Sequence, residues 1–306
     1  MDVLGMLGYK AADRLLIVNA DDFGMCHATN EAIKQLLDEG AVSSATVMMP
    51  CGWAKDAAVW SAAHPQADVG IHLTFTSEWE GYKWGPVNRQ GGTSSLVTAE
   101  GYFPSDCLTF ERQAEPAQVR AEVIAQIEMA LSLGMNPTHL DSHMGSLYGL
   151  ETGRDFLDIV FDVCSEYGLP FRLPKSIAIT GMQLSPDMEA FAQQRAAQAA
   201  AKGVVILDEL LSLPYANQEG QNEEQVKAEM AALLRSLKPG VSEIIIHPSC
   251  ITTELQSITP HWARRGLEFQ LLLDPGMKQV IADEGIHLIR WADLRDAQRG
   301  MPPQRH

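Results

Sequence analysis

Four polar clusters stand at the ends of apolar runs: Asn19-Ala20-Asp21-Asp22-Phe23-Gly24, Gly70-Ile71-His72-Leu73-Thr74, His139-Leu140-Asp141-Ser142-His143 and Ile246-His247-Pro248. Together they offer carboxylates and imidazoles, the ligand types of a borderline divalent ion that keeps one position open for water. Taken singly each says less. Asp21-Asp22 alone also fits a turn or the charged start of a helix, because aspartate caps helices well. His72 alone fits a satisfied core histidine. The H-x-D-x-H spacing is more specific: a period of two places His139, Asp141 and His143 on one face of a strand, able to share an ion or to orient one another. Its plain alternative is a polar surface face. His247 closes an apolar run that Pro248 stops, which holds the ring at the strand's mouth; a buried, hydrogen-bonded histidine is the other reading.

Bringing these clusters together requires strands that converge. Short β-like runs alternate with amphipathic helical stretches, an order that implies parallel strands covered by helices. Strands are expected at 15–19, 41–49, 69–76, 138–142, 171–173, 204–207, 243–247 and 286–289. Helices are expected from Asn30 as N-cap to the Gly40 stop, at 53–63, and from Pro116 to Gly134 with Val119, Val123, Ile127 and Leu131 on one face. Others follow at 152–167, 188–201, 223–237 and 262–273, with a further turn after Pro275. In the third strand Val69, Ile71, Leu73 and Phe75 share one parity, and Gly70, His72, Thr74 and Thr76 the other.

Seven or eight such units in 306 residues favour a (β/α) barrel of parallel strands, TIM-barrel-like, whose C-terminal strand ends meet at one mouth. The chain reads as one domain over 1–306. An irregular, aromatic-rich stretch at about 77–114 holds Trp79, Tyr82, Trp84, Tyr102 and Phe103. Exposed, these rings would stack on sugar faces; packed, they would pin the loop to the barrel. No G-x-G-x-x-G follows the first strand, so nothing argues for a dinucleotide fold. Asp22-Phe23-Gly24 lacks the glycine-rich and catalytic loops that accompany this tripeptide in kinases.

Lys+Arg 23 against Asp+Glu 39 gives a formal charge of −16, which repels phosphate backbones and anionic bilayers. No nucleic-acid or membrane partner is expected. No apolar run approaches the roughly 20 residues that cross a bilayer, and the N-terminal segment has no basic start followed by an apolar stretch. The five cysteines, Cys26, Cys51, Cys107, Cys164 and Cys250, are odd in number and form no C-x-x-C pair, as expected of free thiols in a reducing compartment. The expected setting is the cytoplasm.

The blocks Leu16-Ile17-Val18-Asn19-Ala20-Asp21-Asp22-Phe23-Gly24, Gly70-Ile71-His72-Leu73-Thr74, Pro137-Thr138-His139-Leu140-Asp141-Ser142-His143 and His247-Pro248 resemble, in this order, the signatures of the YdjC-like carbohydrate deacetylases. That family includes the chitooligosaccharide deacetylases. The resemblance implies a distorted (β/α) barrel that hydrolyses acetamido groups on a small saccharide, with one divalent ion, zinc or magnesium, on Asp22, His72 and His143. It further implies Asp21 as the base and His247 as the acid for the departing amine. Neighbours in an ideal strand point to opposite faces, so Asp21 and Asp22 reach one site only if the backbone turns, as Phe23-Gly24 permits.

Around that centre His139 and Asp141 are expected as supporting groups; Arg172 fits a residue that orients a carboxylate or binds a substrate anion, and equally a structural salt bridge. Trp79 and Trp84 are candidate substrate contacts. The chain departs from the family in Met144-Gly145-Ser146-Leu147-Tyr148, where further histidines are common, and in Ser249, where glycine often follows His-Pro. Both departures bear on the substrate. So does the acidic charge: it favours neutral sugars, and a phosphorylated one would need a local cationic patch such as Arg172. A metal-dependent phosphoester hydrolase or isomerase on the same barrel is the rival enzyme reading, and a carbohydrate-binding protein using the aromatic loop is the non-enzymatic one. A two-metal centre would need more carboxylates at strand ends than this chain offers. A homo-oligomer is the default for such an enzyme.

Overall fold

A computed structural model describes residues 2–179, 186–215 and 222–301. Among these residues eight parallel strands alternate with helices: β1 (Arg14–Phe23), β2 (Ser44–Val47), β3 (Val69–Leu73), β4 (Leu140–Ser142), β5 (Pro174–Ile179), β6 (Leu207–Ser212), β7 (Gly240–Ile246) and β8 (His287–Leu288). Seven form one curled sheet in the order β4-β3-β2-β1-β7-β6-β5, and β8 joins β1 at Leu15 and Leu16. The expected barrel is therefore a half-barrel curled on itself. Among the described residues no ladder joins its two edges; Leu140 bridges Phe171 across the seam, the Leu140 N–H donating to Pro170 O at 3.0 Å.

Side-chain alternation along β1 explains how the barrel positions a site. Leu16, Val18 and Ala20 pack into the large core between sheet and helices, whereas Leu15 and Ile17 join Val205, Leu207, Val241, Trp291 and Leu294 in a smaller apolar cluster. The parity of Leu15 and Ile17 continues as Asn19 and Asp21, both buried. The barrel interior thus turns from apolar at its base to polar at its mouth. The expected parity of β3 holds as well: Ile71 and Leu73 face the outer core, leaving Gly70 and His72 to face inward.

His139 belongs to the base. Its ring stacks on Trp291 at 4.5 Å with 9° between planes, and its Nδ1 lies 3.0 Å from Thr138 Oγ1. Gly70 makes room for it: a Cβ there would meet His139 Nδ1 at 2.4 Å and its carbonyl oxygen at 2.7 Å. Gly70→Ala is accordingly expected to cost about 1–3 kcal/mol of stability through overpacking, read as a lower urea midpoint. An unchanged midpoint would mean that the stacked ring moves freely.

Several local expectations are corrected. The strand expected at 171–173 begins at Pro174, because proline is tolerated at the first strand position and does not end the run. The helix His27–Asp38 starts before Asn30, whose buried amide instead accepts from Gly24 N–H at 2.7 Å and donates to Asp56 Oδ2 at 2.8 Å. Leu131 is exposed on the last turn of the helix Pro116–Ser132 rather than on its buried face. The stretch at 77–114 contains the helix Cys107–Gln113, capped by the Asp106 carboxylate accepting from Thr109 N–H at 2.7 Å.

The rest of that stretch is irregular but anchored. Glu122 accepts from the N–H groups of Val87 and Asn88 at 2.9 and 3.0 Å, and Trp84 Nε1 donates to Thr76 O at 2.7 Å. Trp79, Trp84 and Phe103 are buried, so these rings pack the loop onto the barrel instead of offering open faces to a sugar. Burial of apolar ring surface outweighs solvent contact here. All five cysteines are free, as expected, and no helix among the described residues is long and apolar enough to cross a membrane.

Candidate metal centre

At the mouth the register of β1 against β2 shifts between Ala20 and Phe23, and Asp22 adopts φ 69°. A left-handed residue inside a strand breaks the period of two, so neighbouring carboxylates turn toward one site. The backbone turn required by the sequence occurs at Asp22 itself, ahead of Phe23 and Gly24.

His72 rises from β3. Its Nδ1 is bonded to Asp141 Oδ1 at 2.6 Å, which leaves Nε2 facing Asp22 Oδ1 at 3.5 Å. β4 ends at Ser142, and His143 opens a tight turn in which Met144 has φ 54°. That turn swings His143 Nδ1 to 3.2 Å from His72 Nε2 and 3.5 Å from Asp22 Oδ1. His143 Nε2 meets Glu78 Oε2 at 3.1 Å.

Three donors separated by 3.2–3.5 Å leave room for an ion at about 2.1 Å from each, the bond length of zinc to nitrogen and oxygen ligands. Two further observations fit the group to these residues. Asp22 Oδ1 is buried with no hydrogen-bond partner. Burial alone would lower both imidazoles, yet Asp141 and Asp21 hold His72 up to about 10, and Glu78 and Asp22 hold His143 up to about 9. A field that retains a proton on two buried rings also favours a divalent cation between them. Each imidazole has a carboxylate on its outer nitrogen, Asp141 for His72 and Glu78 for His143, the arrangement that fixes the ligating tautomer.

Asp21 lies beside the triad, its Oδ2 3.7 Å from His72 Nε2. Arg172 grips both its oxygens at 2.7 and 2.8 Å, and Asn19 donates to Oδ1 at 2.8 Å. Burial pushes this carboxyl up, but Arg172 and His72 override it and hold the group far below the usual carboxylate range. Asp22 is likewise kept ionised against burial, chiefly by Arg265, whose Nη2 reaches Oδ2 at 2.5 Å.

Arg172 also meets Asp141 at 2.7 Å and Glu243 at 2.6 Å, and it is buried. Three acidic side chains surround its two Nη groups, which fits the expected role of orienting a carboxylate, and only the buried Nε has no hydrogen-bond partner. Burial pushes the Glu243 carboxyl up to about 8 in spite of Arg172.

His247 stands at the end of β7 with its ring edge-on to Tyr215 at 4.9 Å and its backbone N–H donating to Glu268 Oε2 at 2.6 Å. Burial pulls its imidazole below the ordinary value, against the pull of Asp22 and Asp21. The structure thus brings together Asp21, Asp22, His72, Asp141, His143 and Arg172, with His247 at the rim. It does not bring in His139, which shares the inward parity of Asp141 but lies at the level of Trp291; burial keeps that ring neutral. Trp84 reaches the site from inside, its ring 6.2 Å from His143, and Trp79 lies against Arg265 at 5.8 Å.

Glu78, Glu243, Tyr215 and Arg265 had not been singled out. Glu78 and Tyr215 come from irregular segments with no period to read. Arg265 lies among the buried residues of the helix Trp262–Leu273, a burial that an arginine tolerates only when paired and that the fold alone reveals.

The architecture is a parallel half-barrel, and Asp22, His72 and His143 converge at its mouth as a group that could hold an ion. The model of the family described as YdjC-like protein matches residues 15–283, and the chain belongs to that family. It is similar to a carbohydrate deacetylase of Thermoanaerobacter pseudethanolicus, 27% identical over 283 residues, 92% of this chain and 100% of that one. It is also similar to a carbohydrate deacetylase of Thermus thermophilus, 28% identical over 297 residues, 97% of this chain and 99% of that one. Among solved structures, one from Enterococcus faecalis V583, described provisionally as a cellobiose-phosphate cleavage protein, has a TM-score of 0.73 at 26% identity, covering 92% of this chain and 99% of that one.

Proposed function

We propose that this protein is a metal-dependent carbohydrate deacetylase that removes the N-acetyl group from an acetylated amino sugar or short oligosaccharide, giving acetate and a free amine. The observation that carries this reading is the donor triad of Asp22 Oδ1, His72 Nε2 and His143 Nδ1, with a second, separately clamped carboxylate on Asp21 beside it. A divalent ion on the triad, zinc or magnesium, supplies Lewis acidity toward the acetamide oxygen and the attacking water.

The chain's own residues do the rest. Arg172 keeps Asp21 ionised and aimed, so that this carboxylate takes the proton of the attacking water. Asp141 and Glu78 hold the two imidazoles with their inner nitrogens turned to the ion. His247 stands as the acid for the departing amine in the form of the protein that carries a proton on its ring, a form that burial makes scarcer and more acidic. Five free cysteines support a cytoplasmic location. The single-domain organisation and a homo-oligomeric state are part of the same reading.

The test incubates the protein with N-acetylated amino sugars, short oligosaccharides, their 6-phosphates, O-acetyl sugars and simple phosphoesters, and measures acetate, amine and phosphate. Acetate and free amine are expected in equal amounts, lost on chelation and restored by a divalent ion. Phosphate release without acetate would favour the phosphoester hydrolase instead. Binding of sugars without any product would favour the carbohydrate-binding protein.

A further inference from the structure

The two adjacent aspartates are met by different arginines in different ways. Arg172 takes both oxygens of Asp21, whereas Arg265 takes only Oδ2 of Asp22, through Nη2 at 2.5 Å. The same Nη2 donates to Tyr215 Oη at 2.8 Å. The guanidinium carbon lies 5.8 Å from the Trp79 ring centroid and 5.7 Å from that of Tyr215, within reach of cation–π attraction to both. Arg265 is 1% exposed, and its Nε and Nη1 have no hydrogen-bond partner. A cation so far removed from water is costly unless an anion matches it, and its matching anion is Asp22.

We propose that Arg265 is a positioning residue of the metal centre. Acting through Asp22, it occupies Oδ2 and so makes that carboxylate a one-oxygen ligand, with Oδ1 turned to His72 and His143; Trp79 and Tyr215 hold the guanidinium in place. The inference rests on reading the triad as a metal site. Three observations support it. The oxygen left over by Arg265 is the buried, unpartnered one. Asp22 sits at φ 69°, a strained conformation that persists where surroundings enforce it; Arg265, 243 positions away in the chain, provides such a restraint. The clamp is also assembled from three separate segments, the 77–106 loop with Trp79, the stretch after β6 with Tyr215 and the helix Trp262–Leu273 with Arg265. Occupation of Oδ2 blocks a two-oxygen chelate of the kind large, oxygen-preferring ions such as calcium favour. Arg265 therefore biases the centre toward compact ions of the zinc type.

Zinc titration of the metal-stripped full chain, together with visible spectra of its cobalt(II) form, tests this. Arg265→Met is expected to bind zinc about 10–100-fold more weakly than the unsubstituted chain, the usual loss when a supporting contact of a metal ligand is removed. Its cobalt bands should shift and weaken as Asp22 becomes free to chelate through both oxygens. Arg265→Lys, which retains a charged donor, should recover part of the affinity. Where Arg265→Met does not fold, Trp79→Leu and Tyr215→Phe loosen the same guanidinium without removing it and should move affinity and spectrum in the same direction. Folded variants with unchanged zinc affinity and an unchanged cobalt spectrum would overturn the proposal. An unsubstituted chain that takes up neither zinc nor cobalt would instead overturn the reading of the triad.

Discussion

Replacing His72 by alanine is expected to empty the metal centre and stop deacetylation together. The substitution removes one of three donors and, with it, the ring through which Asp141 acts on the site. An ion that stabilises transition-state charge contributes several kcal/mol, and each 1.36 kcal/mol is tenfold in rate, so turnover should fall by about 10³-fold or more. The fold should survive, because Asp141 keeps Thr46 Oγ1 at 3.0 Å and Arg172 at 2.7 Å as partners. Elemental analysis after dialysis reads the metal and an acetate assay reads turnover. A His72→Ala protein that retains one ion per chain would place the centre elsewhere. His143→Ala should behave alike, since its Nδ1 completes the same triangle.

Asp21→Asn should separate the two readouts, keeping the metal and losing turnover. The amide is nearly the same size and Asp21 is not one of the three converging donors, so metal content should stay at the unsubstituted level. What disappears is the charge that accepts a proton; loss of a positioned general base costs about 10²–10⁴ in rate. The binding of Arg172 changes too, because an amide offers it one acceptor where the carboxylate offered two. Arg172 keeps its ion pairs with Asp141 and Glu243, which limits any structural loss. An Asp21→Asn protein with undiminished turnover would remove Asp21 from the base role.

How far the sequence foretold this site depends on whether a residue obeys a local period. His72 was legible because β3 alternates, and its apolar parity faces the outer core. Asp141 was legible for the same reason. His139 shows the limit of that rule: the period of two assigned its face correctly but carries no information on height, and the ring stacks on Trp291 at the base. Asp22 and His143 reach the site by breaking the period, through a left-handed residue in β1 and a turn containing Met144. Glycine would have signalled such turns; aspartate and methionine do not.

Partners brought in by tertiary packing were the least legible. Arg172 stood beside two prolines and could be noticed, yet only the fold shows it ion-paired with three acidic side chains at once. Glu78 belongs to an irregular loop whose course is set by Glu122 and buried tryptophans, not by any pattern of its own. The aromatic richness of that loop was plain in the sequence. Its direction, inward, was decided by packing.

The competing donor set Asp21, His72 and Asp141 also lies close enough to hold an ion. Asp21 is committed to Arg172 through both oxygens, and Asp141 already bonds His72 Nδ1 at 2.6 Å, so neither is free as Asp22 Oδ1 is. Anomalous diffraction at the zinc edge from crystals of the zinc-loaded protein decides between them. One peak within bonding distance of Asp22 Oδ1, His72 Nε2 and His143 Nδ1, with Asp21 unligated, is the predicted result; a peak bonded to Asp21 or Asp141, or none at the mouth of the barrel, would contradict it.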